Sequence, residues 1–491
     1  MLPARRRPDP DADIGRSGAT RAIRRRGEIG LVVAGGLAAA SLSDLAARFP
    51  TDFAWGAATA AYQVEGSHDV DGRGRSIWDT FSHTPGMTLN GETGDVACDH
   101  YRRWESDLDL MRDLGLRAYR FSTSWTRIQP TGSGTPNENG LDFYDRLVDG
   151  LLERGIQPWL TLYHWDLPQP IEDRGGWLEP EVVDRFAEYA AIVGRRLGDR
   201  VATWLTLNEM RTFTLMGYGT GRHAPGRHGW SNTLRAAHHG HLAHAAAVRA
   251  LRAEVPDARV GIAHDVAYVE PGSSSAADGE ALVRYDGAMH RWFLDPTFGR
   301  GYPADLVAWY ESLGMLDGLD VAAVDGLPPI DLLAVNYYRR ERIVADEPHE
   351  DWGIGARVLP PAGPQTANGW EIHPDGLRAT LARLSRDYGP TALAISENGA
   401  TFEDSVGADG SVDDPDRLAY LASHIDAAAD AVEEGVPLAA YFAWSLLDNY
   451  EWALGYGTRF GIVHVDFATQ RRTVKSSGRW YRDLLAAAPR G

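Results

Sequence analysis

From about Arg48 onward the sequence repeats one alternation: a short apolar run, then a longer stretch with apolar residues at helical spacing. The apolar runs cover residues 53–59, 117–122, 157–163, 203–208, 259–263, 332–337, 392–396 and 439–444. Runs this short between turn residues read as buried strands. The intervening stretches, such as "RRWESDLDLMRDLG", "GLDFYDRLVDGLLERG", "EVVDRFAEYAAIVGRRLG" and "DPDRLAYLASHIDAAADAVEEG", read as helices. Several begin at an Asp or Asn cap and stop at a glycine. Strand–helix alternation means parallel strands joined by right-handed crossovers. Eight such strands fit a single closed (β/α)8 TIM barrel of the α/β class better than an open sheet. A barrel needs about 250 residues. A chain of 491 residues therefore carries its surplus in long βα loops, at 66–98, 217–231 and 345–368. No repeat of fixed period and no second domain are visible, and the barrel is expected to occupy residues 47–487.

Composition removes several function classes. The formal charge of −19 argues against a nucleic-acid partner, which needs a basic surface. It leaves a neutral ligand such as a sugar open. Sixteen Trp and nineteen Tyr supply flat apolar faces with polar edges, suited to sugar rings, although most belong to the core. A single cysteine, Cys98, excludes an intrachain disulfide and a thiolate metal site, and reads as a packed core residue. Residues 1–46 differ from the rest. The first 26 are arginine-rich without apolar periodicity, and the apolar stretch 29–42 is too short and glycine-rich for a membrane span. They are read as a disordered, non-catalytic extension of a cytoplasmic protein. The alternatives are an over-extended start or a signal peptide leading to export. No membrane association is expected, and the oligomeric state is left open.

In a TIM barrel the active site lies where the strands end at their carboxyl side. Strand one runs into Gln63, strand two carries Arg120, and strand three ends at His164-Trp165. Strand four ends at Asn208-Glu209, strand six at Asn336-Tyr337-Tyr338, strand seven at Glu397-Asn398, and strand eight at Trp444. Strand five, "VGIAHD", is the least informative. A lone glutamate at a strand end is ordinarily an ion-pair partner or a helix cap. Two glutamates, each beside an asparagine, with His164, Gln63 and several Trp on the same rim, point to paired carboxylates flanking a sugar. That is the machinery of glycoside hydrolysis. The pair works only if the two pKa values differ, and Arg120 and Tyr338 are candidates to keep one carboxylate ionised.

The ordered set "FAWGAATAAYQVEG", "YRFSTSWTRI", "LYHWDLP", "TWLTLNE", "GRHAPG", "NYY", "SENG", "FAWSLLDNYEWALGY", "RFGIVHVD" and "RRTVKSS" resembles the signature of glycoside hydrolase family 1, the β-glucosidase family. The match spans roughly residues 47–483. Each motif is weak alone, but ten in order are specific. The resemblance implies a retaining mechanism with no cofactor or metal. It makes Glu209 the acid/base, Glu397 the nucleophile, and Asn208 the partner of the 2-hydroxyl. It also implies that Gln63, His164, Glu451 and Trp452 bind the other hydroxyls and that Trp444 is the platform under the ring. Trp165 and Phe460 join the sugar-binding set. Asn336, Tyr338 and Arg120 support the nucleophile, and Trp370 lies against the leaving group. The glutamate at 209 implies ordinary O-glycosides. The Glu451-Trp452 pair implies an unphosphorylated β-glucoside, with β-galactosides and β-fucosides as side substrates, because a carboxylate there repels a 6-phosphate.

Two positions depart from the family pattern: Met210 stands where proline is usual, and Ser396 where threonine is usual. Neither removes a reacting group. A transglycosidase is an alternative, since it shares every catalytic residue, and so is a non-catalytic sugar-binding barrel, although neither glutamate is lost. His238, His239, His241 and His244 lie on an alanine-rich stretch and are read as hydrogen-bonded barrel-helix residues rather than metal ligands. "DGRGRS" at 71–76 lacks the setting of a phosphate loop and is read as a surface loop.

Overall fold

A computed structural model describes residues 41–346 and 353–489. Eight strands, β1 (Ala54–Ala58), β2 (Ala118–Ser122), β3 (Gln157–Tyr163), β4 (Thr203–Asn208), β5 (Arg259–Asp265), β6 (Leu332–Asn336), β7 (Leu393–Asn398) and β8 (Leu438–Trp444), close into one barrel. Each pairs in parallel with its sequence neighbours, and β8 closes on β1. The limits of β3 and β4 are those read from the hydropathy pattern. β5 and β7 run further than expected, to Asp265 and Asn398. Polar tips resemble loop locally, yet the ladder continues through them: Asp265 pairs with Asn336, and Asn398 with Ala443.

The barrel interior is a packed core, as in this architecture generally. Trp159 and Phe442 meet at its centre, with ring centroids 4.9 Å apart. Small residues, Ala118, Ala263, Ala334, Ala394 and Ala440, make room for them. Gly56 is required here, because a Cβ would lie 2.6 Å from the Phe442 ring. The same cluster continues through Phe460, Tyr338 and Trp444, so the floor of the site is continuous with the core.

The outer layer shows how the helices form. Helix Glu181–Leu197 buries Val182, Phe186, Tyr189, Ala190, Val193 and Leu197, a stripe at helical period. Glu181 and Asp184 stand in its first turn and Arg195 and Arg196 in its last, matching the helix dipole. It packs on helix Trp230–Glu254. That helix carries the four histidines, all buried. His239 meets Trp177 O at 2.8 Å, His241 meets Trp292 O at 3.1 Å, and His244 meets Thr206 Oγ1 at 2.6 Å. His238 meets Tyr302 Oη at 3.3 Å. Among the described residues no group of three or more His, Cys, Asp or Glu is placed to hold a metal ion, and no helix is long and apolar enough to cross a membrane.

Most of the expected N-terminal extension, residues 1–40, lies outside the described residues. Its last part is ordered: helix Leu42–Ala47, capped reciprocally by Ser41 and Asp44, packs on helix Ser476–Ala487. Arg48 then bonds to Asp426 at 2.7 Å and to Glu433 at 2.6 Å. Cys98 is buried, and its thiol donates to Asp448 O at 3.1 Å. The surface-loop reading of "DGRGRS" holds, with Asp71, Gly72 and Arg75 exposed, although one of its side chains turns inward. The Arg73 side chain is only 4% exposed, and it donates to Asp79 at 2.9 Å and His68 O at 2.8 Å. A Cβ on Gly74 would collide with Pro130 O. The loop is pinned inward by an ion pair that composition alone does not reveal.

Candidate active site

β4 delivers Asn208 and Glu209 to the barrel mouth. Glu209 takes a left-handed backbone conformation, φ 50° and ψ 63°, at the start of helix Met210–Thr214. Non-glycine residues rarely adopt it, and such strain persists where the surroundings fix it. Here the Glu209 N–H donates to Ala263 O at 2.8 Å, and its carbonyl accepts from Phe213 N at 3.1 Å. Trp165 and Trp452 on the same rim also have positive φ, 83° and 51°.

A continuous chain of hydrogen bonds joins the two glutamates. Asn336 Nδ2 donates to Glu209 Oε1 at 2.7 Å and to Asn208 Oδ1 at 3.1 Å. Arg120 donates from Nη2 to Asn208 Oδ1 at 2.6 Å and from Nη1 to Glu397 Oε1 at 2.6 Å. Tyr338 Oη donates to Glu397 Oε2 at 2.6 Å. Every member of this chain is buried. Ser396 Oγ donates to Asn336 Oδ1 at 2.6 Å, which fixes the amide so that its N–H groups face Asn208 and Glu209. A threonine hydroxyl would do the same, so this departure from the family pattern keeps its function.

The chain also settles proton positions. Arginine can only donate, so Asn208 turns its oxygen toward Arg120 and its amide nitrogen toward His164 Nε2, 3.0 Å away. Nε2 must then accept, and the proton of His164 sits on Nδ1. Burial and then the Arg120 charge push His164 well below the usual range, so it is neutral. The Asn208 amide keeps a second N–H for a ligand.

Burial pushes the Glu397 carboxyl up to about 7, and Glu209 adds to the rise while Arg120 and Tyr338 oppose it. Burial pushes Glu451 up to about 8, with Glu397 and Glu209 adding to it. Three carboxyl groups thus share one dehydrated pocket and cannot all ionise cheaply. Gln63 Nε2 is shared among Asn449 Oδ1 at 3.0 Å, Tyr450 O at 3.0 Å and Glu451 Oε2 at 3.2 Å. Its Oε1 is buried with no partner among the described residues. A buried carbonyl oxygen without a donor is costly, and a ligand hydroxyl would satisfy it.

Aromatic rings wall the pocket. His164 lies nearly parallel to Trp444, at 5.8 Å and 18°, and to Trp452, at 6.0 Å and 20°. Trp165 packs on Trp452 at 4.6 Å and uses its indole N–H on Asn208 O at 2.9 Å. Trp370 meets Tyr338 at 5.2 Å and Phe460 at 6.1 Å, and is half-buried. All the rim residues expected from sequence are therefore gathered at one end of the barrel.

A further group was not foreseen. Arg211 donates from Nε to Asp265 Oδ1 at 2.9 Å, so strand five does contribute to this rim. Arg339 donates to Glu341 Oε1 at 2.7 Å, and Tyr285 Oη donates to Glu341 Oε2 at 2.7 Å. The available signal was charge directly after a strand end, in "NEMRT" and "NYYRRER". Met210 also gains an explanation. It is fully buried, and a Cβ built on Gly240 would lie 2.9 Å from its sulfur. A large flexible side chain here fills space that a glycine on the facing helix leaves open.

The sequence matches the model of the family described as glycosyl hydrolase family 1 over residues 45–489. Beta-glucosidase A of Acetivibrio thermocellus is 45% identical over 442 residues, covering 89% of this chain and 98% of that protein. A bifunctional beta-D-glucosidase/beta-D-fucosidase of Bifidobacterium breve is 46% identical over 466 residues, covering 89% of this chain and 98% of that protein. The solved family 1 β-glucosidase from Thermotoga maritima superposes with a TM-score of 0.85 at 44% identity, covering 90% of this chain and 98% of that one.

Proposed function

This chain belongs to glycosyl hydrolase family 1, and from that membership we propose that it is a retaining β-glucosidase that releases terminal non-reducing β-D-glucosyl residues by double displacement. The Glu397 carboxylate attacks the anomeric carbon while Glu209 donates its proton to the departing glycosidic oxygen. A glycosyl-enzyme ester forms and the alcohol leaves. Glu209, now ionised, takes a proton from water, the hydroxyl attacks the anomeric carbon, and Glu397 is released. Two inversions give net retention.

The supporting residues follow from their bonds. Arg120 and Tyr338 aim the nucleophile and favour its ionised form against the burial that raises it. Asn208 is positioned by Arg120 and His164 so that its spare N–H reaches the 2-hydroxyl, where a hydrogen bond strengthens in the transition state. Gln63, His164 and Glu451 bind the remaining hydroxyls over the Trp444 platform, with Trp165, Trp452 and Phe460 as its walls. Trp370 borders the leaving group. β-Galactosides and β-fucosides are side substrates.

The observation that carries this reading is the buried hydrogen-bond chain from Glu209 through Asn336, Asn208 and Arg120 to Glu397. It holds both carboxyl groups on rigid strand ends. The test is a panel of aryl β-glycosides on wild type, Glu209→Ala and Glu397→Ala. Azide should restore Glu397→Ala with an inverted product. Near-wild-type turnover by Glu397→Ala would overturn the nucleophile assignment. Product analysis at high acceptor sugar separates hydrolysis from glycosyl transfer.

A further inference from the structure

Three arginines follow the ends of β4 and β6, and each is paired with a carboxylate, but they differ in how many of their N–H groups are used. Arg211 sets Nε and Nη2 on the two oxygens of Asp265. Arg340 pairs with Glu371 and with Glu270. Arg339 differs. Its Nε donates to Glu341 at 2.7 Å, but neither Nη has a hydrogen-bond partner among the described residues. Its side chain is 21% exposed.

The position of this guanidinium is fixed. It lies over the indole of Trp370, 5.2 Å from the ring centroid, a cation–π contact that holds the guanidinium against this ring. Trp370 in turn meets Tyr338, whose hydroxyl holds Glu397. Burial works against the charge of Arg339, but Glu341 outweighs it and Glu209 contributes, so the group stays protonated beside the acid/base.

We propose that Arg339 selects leaving groups carrying a carboxylate, as in β-glucosides of phenolic acids, gripping the carboxylate with its free Nη groups beside Trp370. This rests on the assignment of Glu209 as acid/base and of Trp370 to the leaving-group side. The guanidinium fork matches a carboxylate in a way a point charge does not. The chain as a whole carries −19 and Glu341 already balances the charge of Arg339, so the selection rests on the directed Nη donors rather than on net attraction of anions.

The test uses 4-carboxyphenyl and 3-carboxyphenyl β-D-glucosides and their methyl esters on wild type, Arg339→Lys and Arg339→Gln. The readout is the ratio of kcat/KM for acid over ester, compared between enzymes, which cancels the intrinsic difference in leaving ability. A hydrogen bond to a charged group contributes about 1.5–3 kcal/mol, so the ratio should fall roughly 10- to 150-fold in Arg339→Gln. The lysine variant should lie between, and added salt should weaken the wild-type preference for the acid.

An acid-to-ester ratio unchanged in Arg339→Gln overturns the inference. Should that variant not fold, wild type decides: 4-hydroxybenzoate should inhibit more strongly than its methyl ester, and equal inhibition overturns the inference. Hydrolysis of neutral aryl β-glucosides with the same acid-to-ester ratio in wild type and Arg339→Gln sinks this inference alone. Failure to hydrolyse any aryl β-glucoside sinks the functional reading with it.

Discussion

Arg120 and Glu397 form an ion pair, Nη1 to Oε1 at 2.6 Å, with 1% and 4% of their side chains exposed. Such a pair contributes less through attraction than through what its loss would leave behind, a buried carboxylate with no cation. The pair sets the ionisation of the nucleophile. Burial already pushes Glu397 up to about 7, so activity should rise with pH along an acid limb governed by this group.

Arg120→Met removes the charge that opposes that rise. The acid limb should move upward by about 1–3 pH units, because an opposite charge lowers a carboxyl by about that much. The measurement is kcat/KM against pH. An acid limb that stays put in the variant would show that Glu397 is not the group being titrated.

The Met210–Gly240 contact should behave as a size-compensating pair. Met210→Ala removes a fully buried side chain and should cost about 2–5 kcal/mol. Gly240→Ala places a Cβ 2.9 Å from the Met210 sulfur and should also destabilise, despite alanine's helix preference. The double variant should be more stable than the sum of the singles predicts, read from denaturant unfolding. Strict additivity would show that the two residues do not compete for the same space.

A 6-phosphoglucoside should be a poor substrate. Burial and the neighbouring carboxyls already disfavour negative charge on Glu451, and a phosphate would bring further negative charge into the same dehydrated pocket. Like-charge contacts cost several kcal/mol, so kcat/KM should fall by at least about 100-fold relative to the unphosphorylated glucoside. Comparable rates on the two aryl substrates would refute this.

Thermal stability should peak in mildly acid solution. Burial holds His223, His244, His264 and His424 in the neutral form, each at about 3 against 6.5 when exposed. Between those values the unfolded chain binds more protons, so these groups lose stability as pH falls below 6.5. Burial raises Asp166 and Glu451 to about 8 and Glu397 to about 7. Those groups hold protons in the folded state, and their contribution is lost as pH rises from about 4.5 to 8. The two sets oppose each other between 4.5 and 6.5. Tm should therefore fall below about pH 4.5 and again above about pH 6.5. A Tm that climbs steadily from pH 4 to 9 would contradict the assignment.

Much of this was written in local sequence. Apolar runs bounded by turn residues fixed the strands, because eight parallel strands must each be buried on both faces. "TWLTLNE" alone marks both the barrel wall and its polar tip. Where the reading stopped short, at Ala263 and Ser396, polar residues mimicked loop, and only pairing with a neighbouring strand shows that β5 and β7 continue.

The order of residues therefore determined the barrel, the position of both glutamates and the aromatic rim, since each depends on side-chain type and strand period. The tertiary structure decided the rest. The amide orientation of Asn208 depends on Arg120, 88 positions away, and Glu209 is held by Asn336, 127 positions away. The Arg211–Asp265 pair, the open fork of Arg339, the fit of Met210 against Gly240 and the raised carboxyls of Glu397 and Glu451 all arise from burial and distant partners. Charge and hydrogen bonding act through space, and their strength is set by how much water the closed barrel excludes.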